Sequence, residues 1–348
     1  FKQKTAYEIR LSLVGSEMCI RDRLCALQDH IRDTIVAARK RGGSRFAQVV
    51  GVTAADTVYH VDRLSEAAIL AWFEKYWPRT WPVELVMEGL EEGEAVTFPR
   101  GVPVAETVWK CILDPIDGTR GLMYDKRSAF ILTGLAPQRG PRTRLGDIVV
   151  AAMTELPPSK QDRADQLSAV RGAGVVAERV DLARGERRRW TPRPSRARDF
   201  EQGFASLARF FPEGKALLGA VEEALWREVG LWGKNGGQLV FDDQYICTGG
   251  QLFELIVGHD RMLGDVRPLA YAKLRLSSAS LCCHPYDICT ALIAREAGCV
   301  IERPEGGALR VPLDTTTPVA WIGYANPVLA RVVRPILRRI IAEQLSVP

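Results

Sequence analysis

The sequence has few of the features that mark a membrane, secreted or highly charged protein. No apolar run approaches the roughly 18 to 20 residues that a membrane helix needs. The first residues lack the charged, apolar and small-residue order of a secretory signal. The formal net charge is only +5 across 348 residues, which suits an anionic ligand without demonstrating one. We therefore expect a globular, cytoplasmic protein without a membrane partner.

The sequence also lacks the cysteine spacings that are typical of metal sites and disulfide scaffolds. The eight cysteines show no C-x-x-C spacing and are too sparse for a disulfide scaffold in a chain of this length. We predict reduced, mostly buried thiols and no zinc site. No internal repeat of fixed period is present. With 47% hydrophobic and 26% charged residues, the chain is expected to form one large or two medium domains with a sizeable core.

Residues 1–23 differ from the rest of the chain. They carry neither a sustained helical stripe nor a strand and turn pattern, and they resemble a translated sequencing-adapter read-through. We predict that they are a non-native extension. The alternative is a native, disordered N-terminus.

Helical and strand-like patterns mingle along the remaining chain. Residues 24–43 predict an amphipathic helix that stops at a Gly-Gly pair. Two short apolar runs, over residues 83–89 and 108–113, predict buried strands with a carboxylate at the C-terminal end. Residues 166–180 predict a β-hairpin. This mixture indicates an α/β or α+β protein.

An arginine- and proline-rich segment over residues 181–200 divides the chain. Because it lacks interleaved aromatic residues that would stack on bases, we predict a solvated connection and no nucleic-acid partner. It would separate an N-terminal α+β half, residues 24–180, from a C-terminal α/β half, residues 201–348.

The stretch CILDPIDGTRG carries the chemistry of the N-terminal half. It places Asp114 and Asp117 around a proline, and Gly118 permits the backbone to turn sharply, so that both carboxylates can point to one side. Oxygen ligands of this kind suit a hard cation such as Mg²⁺ and leave positions for phosphate oxygens. Gly118 and Thr119 would offer backbone N–H groups to that phosphate.

Two further acids lie at the ends of separate elements. Glu88 ends an apolar strand run, and Asp287 precedes an apolar helix that closes at Gly298. Taken alone, D-P-x-D-G-T also fits an ordinary Asx-rich turn, and Asp287 also fits a helix N-cap. Four acids gathered in one cleft would need cations to balance their charge, which favours a metal site.

These residues resemble the inositol monophosphatase superfamily of Mg²⁺-dependent, typically lithium-sensitive phosphatases. ILDPIDGT matches every position of its D-P-[IL]-D-G-T signature, and YDICTALIAREAG is similar to its second signature, W-D-x-A-A-G followed by E-A-G. VTAADTVYHVDRLSE and LSAVRGAGVV are similar to two further family segments. The resemblance extends from Leu24 to Leu345 and implies a layered αβαβα sugar-phosphatase fold.

The resemblance also implies roles for particular residues. Two or three Mg²⁺ ions would be bound by Glu88, Asp114, the carbonyl of Ile116, Asp117 and Asp287. Catalytic roles would fall to Glu88, Thr119 and Asp117, with Glu88 and Thr119 orienting and helping to deprotonate the attacking water. Phosphate or substrate contacts would come from Gly118, Thr119 and Asp287. Inhibition by lithium and a homodimer are implied in the same way.

The sequence departs from the family pattern in four places. Tyr286 replaces the usual tryptophan, and MEGLEEGE replaces the usual G-E-E, so Glu91 or Glu92 are alternatives to Glu88 as the first acid. Ser280 stands seven positions before Asp287, where inositol-specific members have an acid. The segment before the second signature is longer than expected, which predicts a remodelled substrate wall.

The resemblance implies a phosphoric monoester hydrolase that acts on a small polyol, sugar, amino alcohol or nucleotide. Inositol phosphates, histidinol phosphate, fructose bisphosphate and 3′-phosphoadenosine 5′-phosphate all remain candidates, although Ser280 argues against a strict inositol enzyme. One alternative is a catalytically silent phosphate-binding or regulatory protein of the same fold. Another is a nucleic-acid binder that works through the arginine-rich segment, whose affinity would depend on salt and survive chelation.

Overall fold

The computed structural model describes residues 6–42, 49–52, 57–90, 95–232, 239–276 and 282–346. Within these ranges the chain forms eight α-helices and three β-sheets. The helices are α1 (Ala6–Gly42), α2 (His60–Tyr76), α3 (Thr119–Met123), α4 (Lys215–Glu228), α5 (Thr248–Val257), α6 (Arg267–Leu274), α7 (Ala291–Glu296) and α8 (Pro327–Gln344).

The strands fall into a two-stranded hairpin, an eight-stranded sheet and a five-stranded sheet. The hairpin contains β1 (Val49–Val52) and β2 (Thr57–Tyr59). The eight-stranded sheet contains β3 (Val83–Met87), β4 (Val96–Phe98), β5 (Trp109–Asp117), β6 (Ala129–Pro137), β7 (Val150–Leu156), β8 (Arg163–Val170), β9 (Val175–Asp181) and β10 (Arg187–Trp190). The five-stranded sheet contains β11 (Gly203–Leu207), β12 (Val240–Phe241), β13 (Asp260–Asp265), β14 (Val300–Glu302) and β15 (Trp321–Tyr324).

The eight-stranded sheet has the order β10-β9-β8-β7-β6-β5-β3-β4, and only β3 and β5 run parallel. Helices α1 and α2 pack on one face of it. Strand β5 shows how both faces are buried: Cys111 and Leu113 belong to the core that includes α1 and α2, and Ile112 belongs to the other core. The alternation follows from the two-residue period of a strand.

The five-stranded sheet has the order β12-β11-β13-β15-β14, in which β11 is parallel to both β12 and β13. Helices α5 and α7 contact strands of both large sheets and lie between them, whereas α4 and α8 pack together and against the five-stranded sheet. The layers are therefore helix, sheet, helix, sheet and helix. The predicted αβαβα fold is confirmed.

The helix predicted at residues 24–43 is part of α1, but α1 begins much earlier. Its described side chains include Ile20, which is fully buried in the core beneath α1 and α2. The irregular pattern of residues 1–23 was therefore a poor guide to their conformation. Once a packed helix exists, each added residue gains one backbone hydrogen bond, so weakly patterned residues can extend it. That these residues are non-native stays a prediction.

The segment over residues 181–200 contains a strand as well as a connection. Strand β10 pairs with β9 at the edge of the sheet. Arg187 forms ion pairs with Asp29 and Glu178, and Arg189 with Glu178. These arginines thus contribute to the edge of the sheet, and the chain crosses to the five-stranded sheet only after β10. None of the described helices is both long enough and apolar enough to cross a membrane.

Candidate active site

A strand irregularity brings the two aspartates of the DPID motif to one place. Residues three apart on a regular strand point to opposite faces. The pairing of β5 with β6 shifts register between Asp114 and Asp117, next to Pro115, which has no N–H to donate to the ladder. Both carboxylates consequently line the same cavity. The N–H of Ile116 donates a hydrogen bond to Asp114 Oδ1 at 2.9 Å, which fixes that carboxylate.

The turn after Asp117 requires glycine for two reasons. Gly118 has a φ of +95°, a left-handed conformation that other residues adopt at a cost. A Cβ at this position would also lie 3.1 Å from Cβ and Sγ of Cys247. Helix α3 begins directly afterwards, and the Thr119 hydroxyl donates a hydrogen bond to the carbonyl of Ile116 at 2.8 Å. Gly118 and Thr119 both line the cavity.

Asp287 reaches the same cavity from the other half of the chain. Helix α7 has Thr290 as its N-cap residue, so the alternative interpretation of Asp287 as a helix cap is wrong. Its carboxylate instead accepts a hydrogen bond from the His284 N–H. Asp114, Asp117 and Asp287 each place one possible ligand atom within 4.8 Å of the others. The structure thus brings together three acids that lie far apart in the sequence.

Glu88 lies beside this cluster without being part of it. It follows β3, and its backbone N–H donates to the carbonyl of Leu113 at 3.3 Å, which holds the end of β3 against β5. Its exposed side chain lines the cavity but falls outside the group of three carboxylates. Glu91 and Glu92, the alternatives for the first acid, lie outside the described residues.

The acids are held in an environment that disfavours their charge. Burial raises the pKa of Asp114 well above its usual range, and the neighbouring carboxylates of Glu88, Asp117 and Asp287 raise it further. Burial and Asp287 raise the pKa of Asp117 to about 8, against the lowering effect of a hydrogen bond from Gly249 N–H. Without a cation, these groups would hold protons near neutral pH.

The composition of the site fits a hard divalent cation. Its candidate ligand atoms are carboxylate oxygens, and Ile116 lines the same cavity. Mg²⁺ and Ca²⁺ prefer oxygen ligands of this type, whereas zinc sites are usually built with histidine or cysteine. A bound cation would also offset the unfavourable charge of the buried acids.

Comparison of the structure, but not of the sequence, detects similarity to known proteins. Comparison of the sequence with protein-family models and with curated proteins gives no match. Among solved structures, extragenic suppressor protein suhB from Bartonella henselae is 18% identical with a TM-score of 0.62, over 92% of this chain and 99% of that one. Fructose-1,6-bisphosphatase from Leishmania major, in its holo form, is 14% identical with a TM-score of 0.65, over 97% of this chain and 100% of that one.

The chain has the same fold as these two proteins. The resemblance seen in the two signature motifs is therefore confirmed as far as the fold is concerned. At such low identity, the activity has to be inferred from the cavity itself.

The whole cavity is about 170 Å³ in volume, and the sequence patterns missed most of the wall opposite the acids. Of the residues on this wall, only Tyr286 had been noted. The others are Arg120, Phe210, Phe211, Ile246, Cys247, Thr248, Arg267, Cys282 and Cys283. Most of them follow strands of the five-stranded sheet and meet the DPID motif only after folding. The one local signal was an aromatic pair placed directly before a proline, in the sequence RFFPEG.

A buried ion pair supports this wall of the cavity. Arg267 donates to Asp265 through Nε at 2.9 Å and Nη2 at 2.6 Å, and both side chains are buried. Asp265→Ala is expected to lower the free energy of unfolding by about 3–5 kcal/mol, because the guanidinium would stay buried without its carboxylate. Urea denaturation measures the change.

The matched control for this prediction removes both charges. Asp265→Ala combined with Arg267→Met should recover much of the lost stability, since a buried ion pair can often be replaced by apolar groups. A loss below about 1 kcal/mol in the single variant, the size expected for an exposed pair, would contradict the prediction.

Proposed function

We propose that this protein is a Mg²⁺-dependent phosphatase that hydrolyses the phosphate monoester of a small metabolite. The observation that carries the proposal is the group of Asp114, Asp117 and Asp287, which each place one carboxylate oxygen within 4.8 Å of the others in a cavity. The fold supports it, because one structural neighbour is a fructose-1,6-bisphosphatase. A homodimer also remains part of the proposal.

The three aspartates would hold the cation, with the Ile116 carbonyl and Glu88 as further ligands. Bound Mg²⁺ supplies Lewis-acid activation of water and neutralises charge on the phosphate and the departing alcohol. The protein's own contribution is positional. The Ile116 N–H fixes Asp114, the Gly249 N–H fixes Asp117, and the His284 N–H fixes Asp287. Such fixed groups need little rearrangement during the reaction.

The turn after the motif would bind the phosphate and orient the water. Gly118 and Thr119 offer backbone N–H groups at the start of α3. The Thr119 hydroxyl donates its proton to the Ile116 carbonyl, so its oxygen lone pairs point elsewhere and can accept a hydrogen bond from water. Glu88, exposed and lining the same cavity, is the candidate general base.

Phosphate release from a panel of phosphate monoesters tests the proposal. The wild type is expected to release phosphate with Mg²⁺, to stop with a chelator and to be inhibited by lithium. Asp287→Asn should lose most of this activity, whereas Asp162→Asn, at an exposed site with 81% of its side chain accessible, should keep it. Folded, Mg²⁺-loaded wild type that binds phosphate esters but releases nothing would instead support the silent phosphate-binding protein.

A second prediction separates the three candidate first acids. Glu88→Gln is expected to reduce kcat by about 100-fold, within the usual contribution of a general base, because only Glu88 among the described candidates lines the cavity. Glu91→Gln and Glu92→Gln serve as controls and should stay near the wild-type rate. A larger loss in either control would assign the role to that residue and refute the assignment to Glu88.

A further inference from the structure

Two adjacent phenylalanines line the cavity that contains the acidic cluster. Phe210 and Phe211 are partly exposed, and their ring centroids lie 5.6 Å apart with an interplanar angle of 86°. The two rings thus form an aromatic corner, the name used below for this pair. Partly exposed aromatic rings inside a cavity provide an apolar surface on which another flat ring can stack.

The aromatic corner is held in place by the five-stranded sheet. Strands β11 and β13 are parallel, so the loops after their carboxyl ends lie at the same edge, where ligands bind in many α/β proteins. Phe210 and Phe211 follow β11, and Arg267 follows β13. The Arg267 guanidinium lies 4.5 Å from the Phe210 ring centroid and 5.3 Å from that of Phe211. Since Asp265 fixes Arg267, this cation–π contact preorganises the rings.

The two phenylalanines distinguish this wall from the acidic side of the cavity. Among the described residues that line the cavity, the carboxylates are Glu88, Asp114, Asp117 and Asp287, and no asparagine or glutamine is present. Those four acids are already assigned to the metal and the water by the proposed function. The hydroxyl groups of a sugar would need partners away from the phenylalanine rings, such as Thr248 and Tyr286, because those rings have no group that donates or accepts a conventional hydrogen bond. A flat apolar ring needs no such partners and can contact both phenylalanine rings directly.

We propose that the substrate is a phosphate monoester whose alcohol carries an aromatic ring close to the ester carbon. The ring would contact Phe210 and Phe211 while the phosphate lies at the acidic cluster, and hydrolysis would yield the aromatic alcohol and inorganic phosphate. This inference rests on the proposed function. Arg267 is a positioning residue that acts through the two rings.

Binding of two phosphonates tests the aromatic corner without turnover. In the presence of Mg²⁺, the full chain is expected to bind benzylphosphonate about tenfold more tightly than methylphosphonate, measured by calorimetry. Phe210→Leu and Phe211→Leu should each reduce this preference, and the double variant should remove most of it. Equal Kd values in the wild type, or no measurable binding of either compound, would overturn the inference.

A phenylalanine on the five-stranded sheet provides a matched control. Phe204 is 44% exposed, contacts the Phe241 ring at 5.7 Å and is not among the residues lining the cavity. Phe204→Leu is therefore expected to leave the preference for benzylphosphonate unchanged. A loss equal to that of Phe210→Leu would mean that the effect is a general one on folding, and would also overturn the inference. Thermal unfolding of each variant reports on folding.

Steady-state kinetics with several phosphate esters distinguishes a failure of this inference from a failure of the proposed function. Benzyl phosphate should have a higher kcat/KM than cyclohexylmethyl phosphate or glycerol 3-phosphate, and the advantage should appear mainly in KM. Equal kcat/KM values would refute the aromatic substrate and leave the phosphatase in place. If no ester is hydrolysed but benzylphosphonate still binds preferentially, the phosphatase fails and the aromatic corner stands as a binding site.

Discussion

Replacing Asp114 by asparagine is expected to abolish most Mg²⁺-dependent phosphate release. Asparagine keeps the shape of the side chain and an oxygen that can accept the hydrogen bond from Ile116 N–H, so the turn should persist. It removes the negative charge that would bind the cation. We expect a fall of about 100- to 1,000-fold in kcat/KM, the range found when one preorganised electrostatic contact to a transition state is lost.

The same substitution should make the metal-free protein more stable. The pKa of Asp114 is raised well above its usual range by burial and then by Glu88, Asp117 and Asp287. At pH 8 the folded protein must therefore either keep a proton on this carboxyl group or bury its charge among like charges, and neutral asparagine avoids both costs. Thermal unfolding in chelator at pH 8 should show a midpoint higher by about 1–2 °C for each kcal/mol gained. Loss of function with gain of stability is typical of a site built for a ligand.

Asp260→Asn is the matched control for Asp114→Asn. Asp260 is also buried, and burial followed by Glu254 raises its pKa to about 7, but it is not among the residues lining the cavity. Its substitution should stabilise the protein and leave phosphate release unchanged. If Asp114→Asn kept its activity, or if Asp260→Asn lost as much, the assignment of the metal site to Asp114 would be wrong.

The sequence predicted the fold where the determining contacts are local. The helix from residue 24, the hairpin of β8 and β9, and the strands before Glu88 and Asp114 all follow from hydrophobic period and turn residues. Strand β10 was not predicted because its arginines gain their role only from partners elsewhere, such as Asp29 and Glu178. Tertiary contacts of this kind override a local preference for solvent.

The residues of the candidate site likewise fall into those that a local motif indicates and those that come together only in the folded protein. One continuous motif supplied Asp114 and Asp117, and a second supplied Asp287, so spacing alone indicated them. That residues 114 and 117 share one side was expected from the proline and glycine around them, and the structure shows that a shift in register between β5 and β6 produces it. Phe210, Phe211 and Arg267 were missed because they meet only through the parallel strands β11 and β13. The proposed substrate preference therefore rests on the part of the site that sequence patterns reveal least.

The metal-free protein is expected to lose stability as the pH rises from about 5 to about 8, and Mg²⁺ is expected to restore it. The pKa of Asp117 is about 8 in the folded protein against an ordinary value of 3.8. Between these values the folded state keeps a proton that the unfolded state has released. Stability is then fully present below the lower pKa and falls as the pH rises towards the upper one. The loss should amount to a few kcal/mol, since each pKa unit corresponds to about 1.4 kcal/mol.

Urea denaturation at several pH values, with chelator and with Mg²⁺, measures this linkage. Asp117→Asn keeps an acceptor for Gly249 N–H and should flatten the decline in chelator. Asp260 also has a raised pKa, so Asp260→Asn should remove a smaller share of the decline, and that share should be insensitive to Mg²⁺. Mg²⁺ must displace the retained protons in order to bind, so its affinity should increase over the same pH range. Because Asp114 and Asp260 also have raised pKa values, part of the decline should remain in Asp117→Asn. A decline as steep in Asp117→Asn as in the wild type, or one that Mg²⁺ leaves unchanged, would show that the buried acids are not the cation site.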